Sequence, residues 1–178
     1  FQELAYRTGA TLKWFDLTED GRIRSDTADE VITKHTKVVA ITHVGNTTGA
    51  ITDIAPIIRR AHEVGAIFIL DACQSVPHLK VNFHALDVDF AAWSAHKMYG
   101  PTGVGFLYGL RELLEALPPA NFGGSMVELA WMDQPAQYMV PPARFEAGTQ
   151  PVAQVVAAGV AAEWMMNVGL ENIEAHER

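Results

Sequence analysis

Short apolar runs alternate with amphipathic stretches along the chain, and that alternation is the first guide to its fold. Lys37-Val38-Val39-Ala40-Ile41-Thr42-His43-Val44 is a run of strand length rich in β-branched residues, and its apolar core has no polar alternation. Ala66-Ile67-Phe68-Ile69-Leu70-Asp71 is a second such run and Asp89-Phe90-Ala91-Ala92-Trp93-Ser94 a third. Continuous apolar strands predict burial on both faces, the mark of a parallel sheet covered by helices. Between the first two runs, residues 52–65 read as a helix. Thr52 or Asp53 can cap it, Pro56 sits in its first turn and Gly65 stops it, while Ile54, Ile57, Ile58, Ala61 and Val64 form one apolar stripe. Strand, helix and strand in this order predict a βαβ unit with a right-handed crossover. Upstream, residues 11–17 read as a further strand and residues 27–34 as a short helix.

After the third run, Gly100-Pro101-Thr102-Gly103 is a turn leading into Val104-Gly105-Phe106-Leu107-Tyr108. The connection is too short for a helical crossover, so these two strands are expected to be antiparallel neighbours or to be linked by a bent loop. Residues 111–117 predict a short helix ended by Pro118-Pro119. From 120 to 142 no period survives, and a loop of that length in a compact domain is expected to be functional or interfacial. Residues 151–169 predict a long helix, apolar nearly all round and therefore buried or packed on a partner. The pattern as a whole is α/β: a mostly parallel sheet flanked by helices.

Composition narrows this further. The 178 residues fit about one domain, and 49% hydrophobic with 19% charged residues excludes disorder. A net charge of −8 argues against nucleic acid or an anionic membrane as a partner. The single cysteine excludes a disulfide framework and a multi-cysteine zinc site, and fits a reducing, cytoplasmic compartment. No run approaches the length of a membrane span. The chain opens on Phe1-Gln2-Glu3-Leu4 and closes in a helical pattern over residues 170–178, so both ends read as cuts in a longer sequence.

Ligands of open α/β sheets collect at the carboxyl ends of the strands. Here the first strand ends in His43-Val44-Gly45-Asn46, the second in Asp71-Ala72-Cys73-Gln74 and the third in Ser94-Ala95-His96-Lys97. One rim would thus gather a carboxylate, amides, a hydroxyl, an imidazole and an amine. A desolvated lysine can form a Schiff base with a carbonyl cofactor, and an aspartate at the base of the site would hold a pyridine nitrogen protonated. Ser94 and His96 suit a phosphate, and Asn46 and Gln74 are neutral donors for a phenolic oxygen. These are the requirements of pyridoxal 5'-phosphate. Each group also has an ordinary reading: a strand-end aspartate caps the next helix, and a lone lysine is a solvated charge. His78 and His84 lack a carboxylate or cysteine nearby in sequence that would make a metal site with them, so no metal is expected. Trp93 and Tyr99 read as packing residues. Cys73 has no basic sequence neighbour to activate it.

The run Ser94-Ala95-His96-Lys97-Met98-Tyr99-Gly100-Pro101-Thr102-Gly103-Val104-Gly105-Phe106-Leu107-Tyr108 closely resembles the lysine segment of class V aminotransferase-fold enzymes, specifically the SUF-type cysteine desulfurase and selenocysteine lyase group. Thr42-His43-Val44-Gly45-Asn46, Asp71-Ala72-Cys73-Gln74-Ser75-Val76-Pro77-His78, Ala85-Leu86-Asp87-Val88-Asp89-Phe90 and Arg144-Phe145-Glu146-Ala147-Gly148-Thr149 support the resemblance over nearly the whole chain. It implies a fold-type I large domain, with residues 1–178 its central part and an N-terminal segment and C-terminal small domain absent. It implies pyridoxal 5'-phosphate held by Lys97 as the covalent anchor and catalytic base, and Asp71 at the ring nitrogen. Gln74 would reach the phenolic oxygen, Ser94 and His96 the phosphate, and Asn46 the cofactor and substrate carboxylate. Thr149 would bind the phosphate of the other subunit in a homodimer, and the irregular stretch from 121 to 142 would fit its interface. The implied reaction turns L-cysteine into L-alanine, leaving sulfur as a persulfide for iron–sulfur cluster assembly, with a sulfur-acceptor protein as a further partner. Other members of the group suggest selenocysteine, cysteine sulfinate, transamination or epimerisation instead, and a non-catalytic scaffold of the same fold is a further alternative. The family's catalytic cysteine and its substrate-carboxylate arginine lie C-terminal to the stretch matched here. Its ring-stacking histidine and a phosphate-binding threonine lie N-terminal to it. Cys73 occupies a small-residue position of the family beside the cofactor.

Overall fold

A computed structural model describes residues 1–177; Arg178, the last position of the expected terminal helix, lies outside the described residues. The chain opens with α1 (Gln2–Thr8) and passes through a 3-10 turn (Ser25–Thr27) into α2 (Ala28–Val31). The sheet and its connections follow as β1 (Val38–Thr42), α3 (Ala55–Glu63), β2 (Ile67–Asp71), α4 (Ser75–His78), β3 (Phe90–Ser94) and β4 (Gly105–Gly109). Then come α5 (Arg111–Ala116), β5 (Val127–Leu129), β6 (Gln137–Tyr138), α6 (Val152–Val168) and α7 (Leu170–Glu177). The main sheet has the order β1-β2-β3-β4, parallel from β1 to β3 and antiparallel at β3–β4. This is the expected α/β architecture, including the antiparallel return after the Gly100–Gly103 turn.

The helix between β1 and β2 forms as its stripe predicts. Asp53 Oδ1 accepts the Ala55 N–H at 3.2 Å, Pro56 lies in the first turn, and Gly65 takes φ 73° just beyond the end. Ile54, Ile57, Ile58 and Ala61 are buried against one face of the sheet, where Val39, Ile41, Phe68, Leu70 and Ala91 are also buried. Phe83, Trp93, Phe106 and Tyr108 extend that layer as a chain of rings with centroids 5.3 Å apart. A second small core of Met98, Met165 and Ile173 ties α6 and α7 to it.

Two expectations are corrected. No strand forms over residues 11–17; Leu17 makes only an isolated antiparallel bridge to Ile23. The Thr18 and Arg22 backbones close a tight loop there, with Gly21 at φ 81°. The helix expected at 27–34 ends after Val31, because Ile32 turns extended and the Thr36 hydroxyl accepts the Thr33 N–H. The two faces of the sheet are covered unequally: on the face away from α3, Phe90 is buried, while Val38 and Leu107 are 49% and 59% exposed. Helix α6 buries Ala158, Ala161 and Met165, and Val156, Val160 and Trp164 remain exposed, so within this chain it is half covered. The stretch from 120 to 142 is irregular as expected, except for the two-residue-wide β5–β6 ribbon. No single helix of the described residues is long and apolar enough to cross a membrane.

Phe68 is the largest of the fully buried side chains and sits at the centre of the β1–β2–α3 core. Phe68→Ala in the full-length protein is expected to cost about 3–5 kcal/mol of unfolding free energy in denaturant titrations. A loss below about 1 kcal/mol would mean that this core is not the one that holds the sheet.

Candidate active site

The parallel register brings the carboxyl ends of β1 and β2 level, and β3 runs two residues further. Thr42 lies opposite Asp71, and Asp71 lies opposite Ala92, two residues before Ser94. Asp71 is therefore the last residue of the middle strand, with its carboxylate in the open. Its two oxygens are held from separate sides. The Cys73 N–H donates to Oδ1 at 3.0 Å and the Thr42 hydroxyl to Oδ2 at 3.3 Å. On the β1 side of Asp71, the Gln74 amide nitrogen donates to the Asn46 side-chain oxygen across the gap between two loops. On the β3 side, Ser94 ends the strand and His96 and Lys97 occupy a 3-10 turn.

That turn is tightly bound. Both the Met98 and Gly100 N–H groups donate to the Ala95 carbonyl, at 2.9 Å each. A Cβ at position 100 would stand 2.9 Å from the same oxygen, so the turn admits only glycine there. Tyr99 takes φ 62° to complete it and packs edge-on against Trp164 of α6, with centroids 5.0 Å apart. Lys97 is half-buried, and among the described residues it makes no ion pair with Asp71.

Cys73 reports how close these groups stand. Its thiol is pushed up from the ordinary range by burial first and by the neighbouring Asp71 carboxylate next, while Ser94 and the Lys97 ammonium pull the other way. Asp71, Cys73, Ser94 and Lys97 therefore share one small region, as the sequence pattern anticipates, with Asn46 and Gln74 at its side. His96 is exposed on the same turn as Lys97. Thr149 is not brought to this rim: it is exposed, beside Gly148, whose N–H binds the Gly124 carbonyl in the distal loop region.

Two residues depart from a simple rim picture. His43 does not contribute an open imidazole. It is buried, its Nδ1 has no hydrogen-bond partner, and burial pushes its pKa down, so the ring is neutral at pH 7. Its backbone is fully used, donating to the Asp71 carbonyl at 3.1 Å and accepting from Thr52 at 2.9 Å. Thr42, conversely, is a site neighbour that the sequence pattern does not single out; only the strand register reveals it. Away from the rim, His78 pairs with Glu177 at 2.8 Å, tying α4 to α7, and no cluster of metal ligands occurs among the described residues.

The whole chain, residues 1–178, matches the model of the family described as aminotransferase class-V. The chain belongs to the class V aminotransferase family. It is 49% identical to a probable cysteine desulfurase 2 of Mycobacterium leprae, over all of this chain and 42% of that protein. It is likewise 49% identical to a probable cysteine desulfurase of Streptomyces coelicolor, over 99% of this chain and 42% of that protein. A solved structure of the cysteine desulfurase CsdA from Escherichia coli superimposes with a TM-score of 0.92 at 36% identity, covering 96% of this chain and 43% of that one. The chain thus spans well under half the length of the relatives it matches.

Class V aminotransferases use pyridoxal 5'-phosphate, and the residues present fit that cofactor. An amine able to form an imine, a carboxylate anchored at the end of the neighbouring strand, and a paired amide couple are the donor set it requires. Cys73, in contrast, has the wrong surroundings for an activated nucleophile, which needs a lowered thiol pKa. Peptide-resolved alkylation of the full-length apoprotein at pH 7 is expected to label Cys73 more slowly than a free cysteine. Its rate should climb only above the ordinary thiol range, since the folded site favours the protonated form. Rapid labelling at neutral pH would contradict this arrangement.

Proposed function

We propose that the full-length protein is a pyridoxal-phosphate-dependent cysteine desulfurase and that this chain is the central part of its large, cofactor-binding domain. One observation carries the reading: Lys97 and Asp71 stand at the ends of adjacent parallel strands, with Ser94, Cys73 and the Asn46–Gln74 pair around them. The names of the relatives support the substrate, and a further solved structure with 27% identity and a TM-score of 0.74 is described as SspA in complex with cysteine.

When bound, the cofactor supplies an electron sink for charge developing at the substrate α-carbon. The chain's own residues do the rest. Lys97 would anchor the cofactor through its amine and, when that amine is free, would take and return protons at the substrate α-carbon. Asp71 would accept the hydrogen bond of the protonated ring nitrogen. Gln74 would donate toward the phenolic oxygen, Asn46 would orient the substrate carboxylate, and Ser94 and His96 would bind the phosphate. In the overall reaction the Cβ–S bond of L-cysteine breaks, a cysteine thiolate of the enzyme takes the sulfur as a persulfide, and the carbon gains a proton to become L-alanine. Cys73, whose thiol is pushed up by burial and by Asp71, is poorly suited to that role, which we assign to another cysteine of the full-length protein. Thr149, exposed in its own chain, fits a role at the phosphate of a second subunit in a homodimer. Sulfur delivery to an acceptor protein for iron–sulfur cluster assembly, in the cytoplasm, completes the reading.

Full-length protein reconstituted with pyridoxal phosphate should be yellow, and Lys97→Ala should lose the covalent, visible absorption. With L-cysteine and a reductant, the wild type should release alanine and sulfide in equal amounts, and Lys97→Ala should be slower by about 10³-fold or more. A wild type that stays colourless sinks the cofactor reading. A yellow protein that ignores L-cysteine but turns over selenocysteine or cysteine sulfinate moves it to another member of the group.

A further inference from the structure

The Asp71 carboxylate is already half engaged before any ligand is considered. An aspartate χ2 is a broad, roughly twofold torsion, so a carboxylate at a strand end swings unless something holds its plane. Here two donors do so from different elements. The Cys73 N–H, in the turn after β2, takes Oδ1 at 3.0 Å, and the Thr42 hydroxyl, on β1, takes Oδ2 at 3.3 Å. The Thr42 contact is not accidental to the fold, because the β1–β2 register sets Thr42 directly opposite Asp71. Threonine is β-branched and stiff at χ1, which makes it a firmer holder than a longer polar side chain.

We propose that Thr42 is a positioning residue for Asp71, an inference that rests on the cofactor reading above. Its hydroxyl, opposing the Cys73 amide, fixes the rotation of the carboxylate and leaves each oxygen a further lone pair for the protonated ring nitrogen. Thr42 touches neither the reacting atoms nor the cofactor; it acts through Asp71. Its loss does not remove the aspartate, whose Oδ1 keeps the Cys73 N–H. It frees the carboxylate to rotate, and the proton at the ring nitrogen is then held less well.

The test uses full-length holoenzyme with Thr42→Val, which keeps the branched shape without the donor, and Thr42→Ser, which keeps the donor. Thr42→Val should load cofactor yet shift the pH midpoint of its visible absorption. Its kcat should fall about tenfold, the size of one hydrogen bond to a charged group, with KM within about twofold of wild type. Thr42→Ser should restore the wild-type midpoint and most of kcat. If Thr42→Val does not fold, Thr42→Ala carries the same expectation. A valine or alanine variant with wild-type midpoint and kcat overturns the proposal, and so does a serine variant that behaves like the valine one. Colourless wild-type protein overturns the cofactor reading and this inference with it, whereas a yellow wild type with an indifferent Thr42→Val overturns this inference alone.

Discussion

Parallel pairing of β2 with β1 on one side and β3 on the other is the constraint on which the rest depends. Each strand is only five residues long, and the pairing sets the carboxyl ends of β1 and β2 level, with β3 reaching two residues further. This pairing gathers Thr42, Asp71 and Ser94, which α3, α4 and their connecting loops separate along the chain. The pairing is in turn held by α3, whose Ile57, Ile58 and Ala61 are packed on the covered face. A shift of one residue in β2 would send Asp71 into that apolar layer and Leu70 to the rim, so the core enforces the register that the site uses.

The site has one firmly built side and one lightly built side. Asp71 is gripped by backbone and side-chain donors, and Lys97 stands on a turn bound twice to a single carbonyl. Asn46 and Gln74 hold mainly each other.

Much of this was legible in the sequence, for identifiable reasons. The three apolar runs had no competing period, so the strands and the helix between β1 and β2 were readable, and with them the places where chemistry would collect. The stretch from 11 to 17 misled because Leu12, Trp14 and Leu17 supply apolar character without the pairing partner that makes a strand. Helix α6 was readable in extent but not in environment, since a helix apolar all round announces that it needs cover without saying which element provides it. Thr42 was invisible for a different reason. Its importance comes from what lies opposite it, and cross-strand register is not written in either strand alone. The shielding of the His43 ring is not legible either, because a strand-end position says where a residue is in the chain, not whether its ring is buried.

The bound turn that carries Lys97 has a mechanical meaning. Its backbone is cinched to the Ala95 carbonyl and braced by the ring of Tyr99 against α6. The lysine is thus a flexible arm on a fixed shoulder. Its amine can sweep only the arc that its methylene stem allows, and that arc is centred on the end of β3, beside Asp71. Glycine at position 100 is what makes the shoulder rigid, so a residue that never meets the substrate sets how far the working amine can reach.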